Sequence, residues 1–239
     1  MTIAYRGGGQ NAALSVNSLV VTMSTTAQNG DYLIALAAHD IATASTYTWP
    51  SGFTERGKVT STVDGGTFAW ADNIGGASEP STYTIAVDNS GSNFAVGVVA
   101  YSGGDTTTPR DVTPTSNSLG TQASPWDVTA TGVATGSANR LLIWMGSTDN
   151  TSLGTVTSAV PAASPATWTE RLDTSDTNWV NLAVCDCPDT AGTYTSDVTG
   201  VQTLGTSNGG RMAFLIALRA LSSGTIIPLV MNQFRQRSN

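Results

Sequence analysis

The chain has little of what chemistry is usually built from. In 239 residues it holds one histidine (His39), two cysteines (Cys185 and Cys187), one lysine (Lys58) and three glutamates. A lone histidine beside a strand, with no partner pattern around it, does not suggest a nucleophile–base relay or a zinc site. Cys185-Asp-Cys187 is the only cysteine pair. On a strand, residues i and i+2 share a face with Cα atoms roughly 6.5–7 Å apart, at or past the reach of a disulfide. With no second pair at metal-ligand spacing, buried reduced thiols are the expectation. Charged residues make up 11% of the chain, less than half the usual share. The net charge of −7 argues against a nucleic-acid partner, since phosphate binding needs a basic stripe. Scarce Glu and Lys leave no stretch that could form a long exposed helix. No apolar run approaches a membrane span, and the N-terminus lacks the basic and apolar regions of a signal peptide. A protein made and kept in a cytosol, or assembled from there, is expected, with no membrane partner.

What the sequence has instead is Thr, Ser, Gly, Asn and Ala, punctuated by short apolar runs. Asp31-Tyr-Leu-Ile-Ala-Leu36 is entered through Asn29-Gly30 and apolar on both alternating sets of positions. Such a run reads as a strand covered on both faces. It returns as Asn139-Arg-Leu-Leu-Ile-Trp144. Phe53-Thr-Glu-Arg56 returns as Trp168-Thr-Glu-Arg171, and Phe68-Ala-Trp-Ala-Asp72 as Leu182-Ala-Val-Cys-Asp186. Ser81-Thr-Tyr-Thr84 returns as Gly192-Thr-Tyr-Thr195, and residues 93–101 as 211–219. The offsets, about 108 to 118 residues, indicate one β-unit written twice.

The expected fold is therefore all-β: two tandem repeated antiparallel β-sandwich units of jelly-roll or Greek-key type, each with six short strands, closely packed or fused, with extended terminal arms. Residues 1–13 read as an N-terminal arm, broken by Gly7-Gly-Gly9. The first unit covers 14–108 and the second 109–223, the latter's strands beginning near Trp126. A Gly/Pro/Thr-rich connector, Ser102-Gly-Gly-Asp-Thr-Thr-Thr-Pro-Arg-Asp111, lies between them. One sandwich covers only one face of a doubly apolar strand, so either the halves cover each other or subunits do; a trimer or larger homo-oligomer is the expectation.

Residues 224–239, outside the duplication, read as a C-terminal docking arm, the other reading being a segment folded back over its own sandwich. Its apolar grip is Ile226, Ile227, Leu229, Val230, Met231 and Phe234, accompanied by Arg235 and Arg237. Arginine suits bidentate pairing with carboxylates on a partner, and Pro228 keeps the segment extended. Glu55 and Glu170 could flank a groove as a glycosidase pair, but neighbours on a strand face opposite ways, and a repeated structural anchor is the expected role of Thr-Glu-Arg. The acidic loop Asp173-Thr-Ser-Asp176 lacks the ligand density of a calcium site. No catalytic residue, metal site or cofactor is assigned.

The order Gly30-Asp-Tyr-Leu-Ile34, Trp49-Pro-Ser-Gly-Phe-Thr54, Glu79-Pro-Ser-Thr-Tyr-Thr84 and Val99-Ala-Tyr-Ser-Gly-Gly-Asp105, with Pro109 and Asp111, resembles a duplicated β-sandwich family met in tailed-phage virions and some bacterial surface proteins. In the second half, Thr167-Trp-Thr-Glu-Arg171 is similar to another of its elements. The resemblance spans roughly residues 14–221. It implies a non-enzymatic virion structural protein, above all a capsid decoration or cement protein that stabilises the head shell. The partner would be the major capsid protein or another virion protein, and the location the virion, after synthesis in the host cytoplasm. A carbohydrate- or surface-binding module of a tail fibre or adhesin is the alternative, to which an exposed row of tryptophans would point.

Overall fold

In the computed structural model the described residues are 2–41, 45–61, 65–89, 93–120, 126–136, 140–150, 157–158, 168–175, 180–189, 195–203 and 209–221. They form strands and no helix. The first half contains β1 (Ala4–Ala13), β2 (Ser18–Thr22), β3 (Tyr32–His39), β4 (Tyr47–Thr48), β5 (Thr54–Thr60), β6 (Thr67–Ile74), β7 (Thr82–Val87) and β8 (Phe94–Ser102). The second contains β9 (Thr115–Leu119), β10 (Trp126–Ala130), β11 (Arg140–Asn150), β12 (Thr157–Ser158), β13 (Thr169–Ser175), β14 (Val180–Asp189), β15 (Val198–Thr203) and β16 (Gly209–Arg219). Among the described residues each half has eight strands where the sequence suggested six.

The first half makes a five-stranded sheet, β1-β8-β3-β6-β5, and a three-stranded sheet, β2-β7-β4. The second makes β9-β16-β11-β14-β13 and β10-β15-β12, the same order with every strand advanced by eight. All pairings are antiparallel, and within each half they nest, first strand with eighth, second with seventh, third with sixth. That nesting is the path of a long hairpin rolled into a jelly roll.

Strand periodicity divides the core into three layers. Tyr32, Ile34, Leu36 and Ala38 of β3 face a central cluster, while Leu33, Ala35 and Ala37 face an outer one with Val21, Tyr83 and Ile85 of the small sheet. In the second half, Ile143 and Met145 of β11 join Leu182 and Val184 of β14 and Phe214 and Ile216 of β16 in the same central cluster. Leu142, Trp144, Ala183 and Leu215 pack outward, with Val128 and Val198. The two five-stranded sheets therefore lie face to face, and each carries a three-stranded sheet on its outer side. Phe214 sits at the junction, its ring centroid 5.3 Å from Phe68 and 6.3 Å from Trp70 of the other half. Gly57 keeps this contact close, because a Cβ there would lie 2.8 Å from both Phe214 and Trp70 side-chain atoms.

Three expectations need correction. The doubly apolar strands are covered within a single chain, so the argument for a trimer loses its basis: each half buries the face that a neighbouring subunit would have had to cover. Residues 1–13 are not an arm, because β1 pairs along its whole length with β8. The glycines serve that position: a Cβ on Gly9 would collide with the Thr22 carbonyl of the sheet above. The counterpart of β1 is β9, upstream of Trp126, so the second half begins earlier than its apolar pattern suggests. The connector is no free linker either. Asp105 and Asp111 donate backbone N–H groups to the carbonyls of Arg219 and Ala217, and Arg219 and Leu221 donate to Pro109 and Gly103, so the connector pairs along the end of β16.

A shared central core means that neither half can hold its shape alone. Phe214→Ala should cost about 3–5 kcal/mol and lower the unfolding midpoint reported from first-half and second-half probes together. Separate transitions for the two halves in urea, followed by Trp fluorescence and far-UV circular dichroism, would contradict a common core.

Candidate functional site

The repeated Thr-Glu-Arg motif has a structural meaning that spacing alone hides. In β5, Thr54 opposes Asp72 and Glu55 opposes Ala71, but Gly57 opposes Trp70, so Arg56 is an extra, bulged residue. In β13, Thr169 opposes Asp186 and Glu170 opposes Cys185, but Leu172 opposes Val184, so Arg171 is the bulged residue there. A bulge re-aims the side chain it carries. Arg56 Nε meets Asp72 Oδ1 at 2.5 Å, and Arg171 meets Asp186 through Nε at 2.7 Å and Nη2 at 3.1 Å. The arginine and the aspartate that repeat together are thus a cross-strand pair. The anchor expected of this motif is real, but Arg and the later Asp form it, not Glu.

Both aspartates share a strand face with central-core residues and sit at the rim of that layer. At the first, the Tyr32 hydroxyl donates to Asp72 Oδ2 at 2.5 Å; burial, then the Asp72 charge, drives the Tyr32 phenol well above its ordinary pKa. At the second, burial and then the Asp186 charge do the same to Tyr101. Tyr5 closes this centre, its ring centroid 4.5 Å from the Arg171 guanidinium carbon, a cation–π contact.

The connector adds charges of both signs. Arg110 Nη1 lies 3.5 Å from Asp72 Oδ2. Its neighbour Asp111 receives Arg140 Nη2 at 2.9 Å, Arg219 Nη2 at 3.3 Å and the Gly136 N–H at 2.6 Å. Burial raises the Asp111 carboxyl, yet the hydrogen bonds from Arg140, Gly136 and Arg219 outweigh it and hold the group below the usual carboxylate range. Between the connector and the β5–β6 end of the first half is a pocket of about 350 Å³, whose lining includes Tyr32, Thr54, Arg56, Asp72, Thr107 and Arg110.

The other residues weighed for chemistry are held by packing. His39 is fully buried; its Nδ1 accepts the Ile41 N–H at 3.0 Å, and burial lowers its pKa to about 4. Cys185 and Cys187 are buried free thiols, and burial pushes Cys185 up to about 12, far from the thiolate needed for attack or ligation. Glu55 accepts from Trp49 Nε1 at 2.9 Å. At Asp173 the backbone is clamped from the other half, donating to Gln10 Oε1 at 2.9 Å while Gln10 Nε2 donates to its carbonyl at 2.6 Å. Trp70, Trp144 and Trp168 are core residues, and Trp49 is half-buried against the outer core of the first half. Ile226, Ile227, Leu229, Val230, Met231, Phe234, Arg235 and Arg237 lie outside the described residues. The sequence reading gave Arg110 and Asp111 no pairing role, because they sit in a stretch of linker composition. The joint repetition of Arg and Asp was the signal available for Asp72 and Asp186. Compared with known proteins, the chain matches no family model and no curated protein.

Two outcomes follow. Arg171→Ala leaves the Asp186 carboxylate unpaired at 3% side-chain exposure, and should destabilise the chain by about 3 kcal/mol in urea unfolding. His39 has a folded pKa of about 4 against an unfolded value near 6.5, so the unfolded chain takes up the proton first as pH falls. Its contribution is intact above pH ~6.5 and should be lost progressively down to pH ~4, by about 3 kcal/mol. His39→Asn, whose amide oxygen can still accept from Ile41, should flatten the pH dependence by that amount. An unchanged slope would put the proton uptake elsewhere.

Proposed function

We propose that this protein is a non-enzymatic structural component of a tailed-phage virion, and specifically a capsid decoration or cement protein bound to the major capsid protein or another virion protein. The observation that carries this reading is the four-layer body itself. Both faces of the inner strands of each large sheet are buried within one chain, and the buried aspartates at the rim of the central layer, Asp72, Asp111 and Asp186, are paired with arginines of the same chain. The exposed positions of β2, β4 and β7 are Ser18, Val20, Thr22, Thr48, Thr82 and Thr84, a hydroxyl-rich face without charge. A rigid block with such faces suits permanent packing in a symmetric shell better than turnover of a substrate. The resemblance to duplicated β-sandwiches of phage particles supports the same reading. The buried tryptophans give no support to a tail-fibre or adhesin module that binds glycans.

Attachment is assigned to residues 224–239, because they have no counterpart at the end of the first half and combine apolar side chains with two arginines. Deleting residues 224–239 should leave the thermal midpoint within a few degrees of the full chain and abolish stable incorporation into particles. Electron microscopy of particles carrying either form makes the comparison. Full incorporation of the truncated chain would remove the docking assignment, and absence of the full chain from purified particles would remove the virion reading.

A further inference from the structure

We infer that the pocket between the connector and the first half is a carboxylate-binding site, with Arg56 and Arg110 as its ligand-holding residues. The comparison between the two bulge centres carries this. In the second half one arginine is enough: Arg171 takes both oxygens of Asp186, and Tyr5 covers the guanidinium. In the first half two arginines converge on one aspartate, and each touches it through a single nitrogen, Arg56 Nε and Arg110 Nη1. Asp72 also accepts from Tyr32, so its own hydrogen-bonding capacity is well filled. Among the described residues neither guanidinium meets another acceptor through its remaining N–H groups. Two cations against one carboxylate leave one positive charge in excess at this spot, in a chain of net charge −7.

The excess sits in an open, solvent-reached pocket at the edge of the large sheet. The side chains of Arg56 and Arg110 are 34% and 25% exposed, and both line the pocket with the hydroxyl-bearing Thr54, Thr106 and Thr107. Guanidinium forks that keep free N–H pairs beside a monovalent positive excess fit a planar monovalent anion, which is a carboxylate. A volume of about 350 Å³ admits an acidic side chain or a small free acid. A second structural role for Arg110 is not needed, since Asp186 is satisfied with one arginine.

The test uses the full-length protein at pH 7 and constant ionic strength, with sodium acetate as the probe and sodium chloride as the control. Side-chain Nε–H signals of the arginines are followed by 15N–1H spectroscopy. Acetate should give a saturable shift confined to Arg56 and Arg110, and Arg110→Gln should weaken it by at least about tenfold while the melting midpoint stays near that of the wild type. If Arg110→Gln does not fold, Arg110→Lys keeps the charge against Asp72 and loses the fork, and should also weaken binding. A glycine-flanked aspartate peptide identifies the source: binding as tight as acetate points to a protein side chain, and acetate binding without peptide binding points to a free acid. Either outcome supports the site. A response that does not saturate, that chloride reproduces, or that Arg110→Gln leaves intact overturns it. The outcome is independent of whether the protein resides in a virion.

Discussion

The structure depends on one requirement: the inner strands of the two large sheets must be apolar on both faces. Four stacked layers leave the two inner sheets with no solvent side, so alternation of polar and apolar residues, the usual mark of a half-exposed strand, is absent from β3, β8, β11 and β16. The consequence is a strict division of labour along each strand. Even positions of β3 build the central core and odd positions the outer one; in β11 the parity is reversed. A slip of one residue in any of these pairings would exchange the two sets. Because the sets differ in size, Ile34 and Leu36 inward against Ala35 and Ala37 outward, the slipped register would overpack one layer and leave voids in the other. Register is thus fixed by side-chain volume, where a half-exposed sheet would fix it by polarity.

Polar groups can then be placed only at the rim of the central layer, and there the chain uses few charges with high economy. Each half ends its β5–β6 or β13–β14 hairpin in a bulged arginine facing an aspartate. The bulge is what lets an edge strand, otherwise polar and exposed, turn one cation inward. A buried ion pair adds little net stability over a well-packed apolar pair. Its value here lies in closing the end of a layer whose next residues are tyrosines that need acceptors. A low total charge is compatible with this design because nearly every charge at the rim has an assigned partner.

Much of this was legible in the sequence. The doubly apolar runs and their order identify the inner strands of both large sheets, and the runs return about 110 residues later. What escaped did so for physical reasons. Both β1 and β9 carry few apolar residues, AYRGGGQNAA and TSNSL, because each is the edge of its sheet; in β1 the glycines are there for close approach to the small sheet, not for a turn. The trimer expectation followed correctly from doubly apolar strands but could not distinguish a second subunit from the second half of the same chain, since the two cover a face identically. Arg–Asp pairing across a bulge breaks the period of two, so neighbours that should face opposite ways are the wrong pair to consider.

The connector shows best how composition can mislead. Gly, Thr and Pro in residues 102–111 describe a flexible linker, yet the segment hydrogen-bonds along β16. Its two charged residues at the end, Arg110 and Asp111, are neighbours in the chain, at a single bridge to Leu218 and the bend that follows it. One reaches Asp72 of the first half and the other Arg140 and Arg219 of the second. The positions they serve correspond in the two halves: Tyr32 opposes Tyr101 in one register, and Arg140 opposes Arg219 in the other. Where the first half has two tyrosines the second has two arginines, and the connector supplies the anion those arginines need. Glycine, threonine and proline are what allow a backbone to follow a strand end so closely while presenting side chains only where a partner waits. The segment that separates the halves in sequence is therefore the clip that joins them in space, and the same clip brings Arg110 to a carboxylate that already has its arginine.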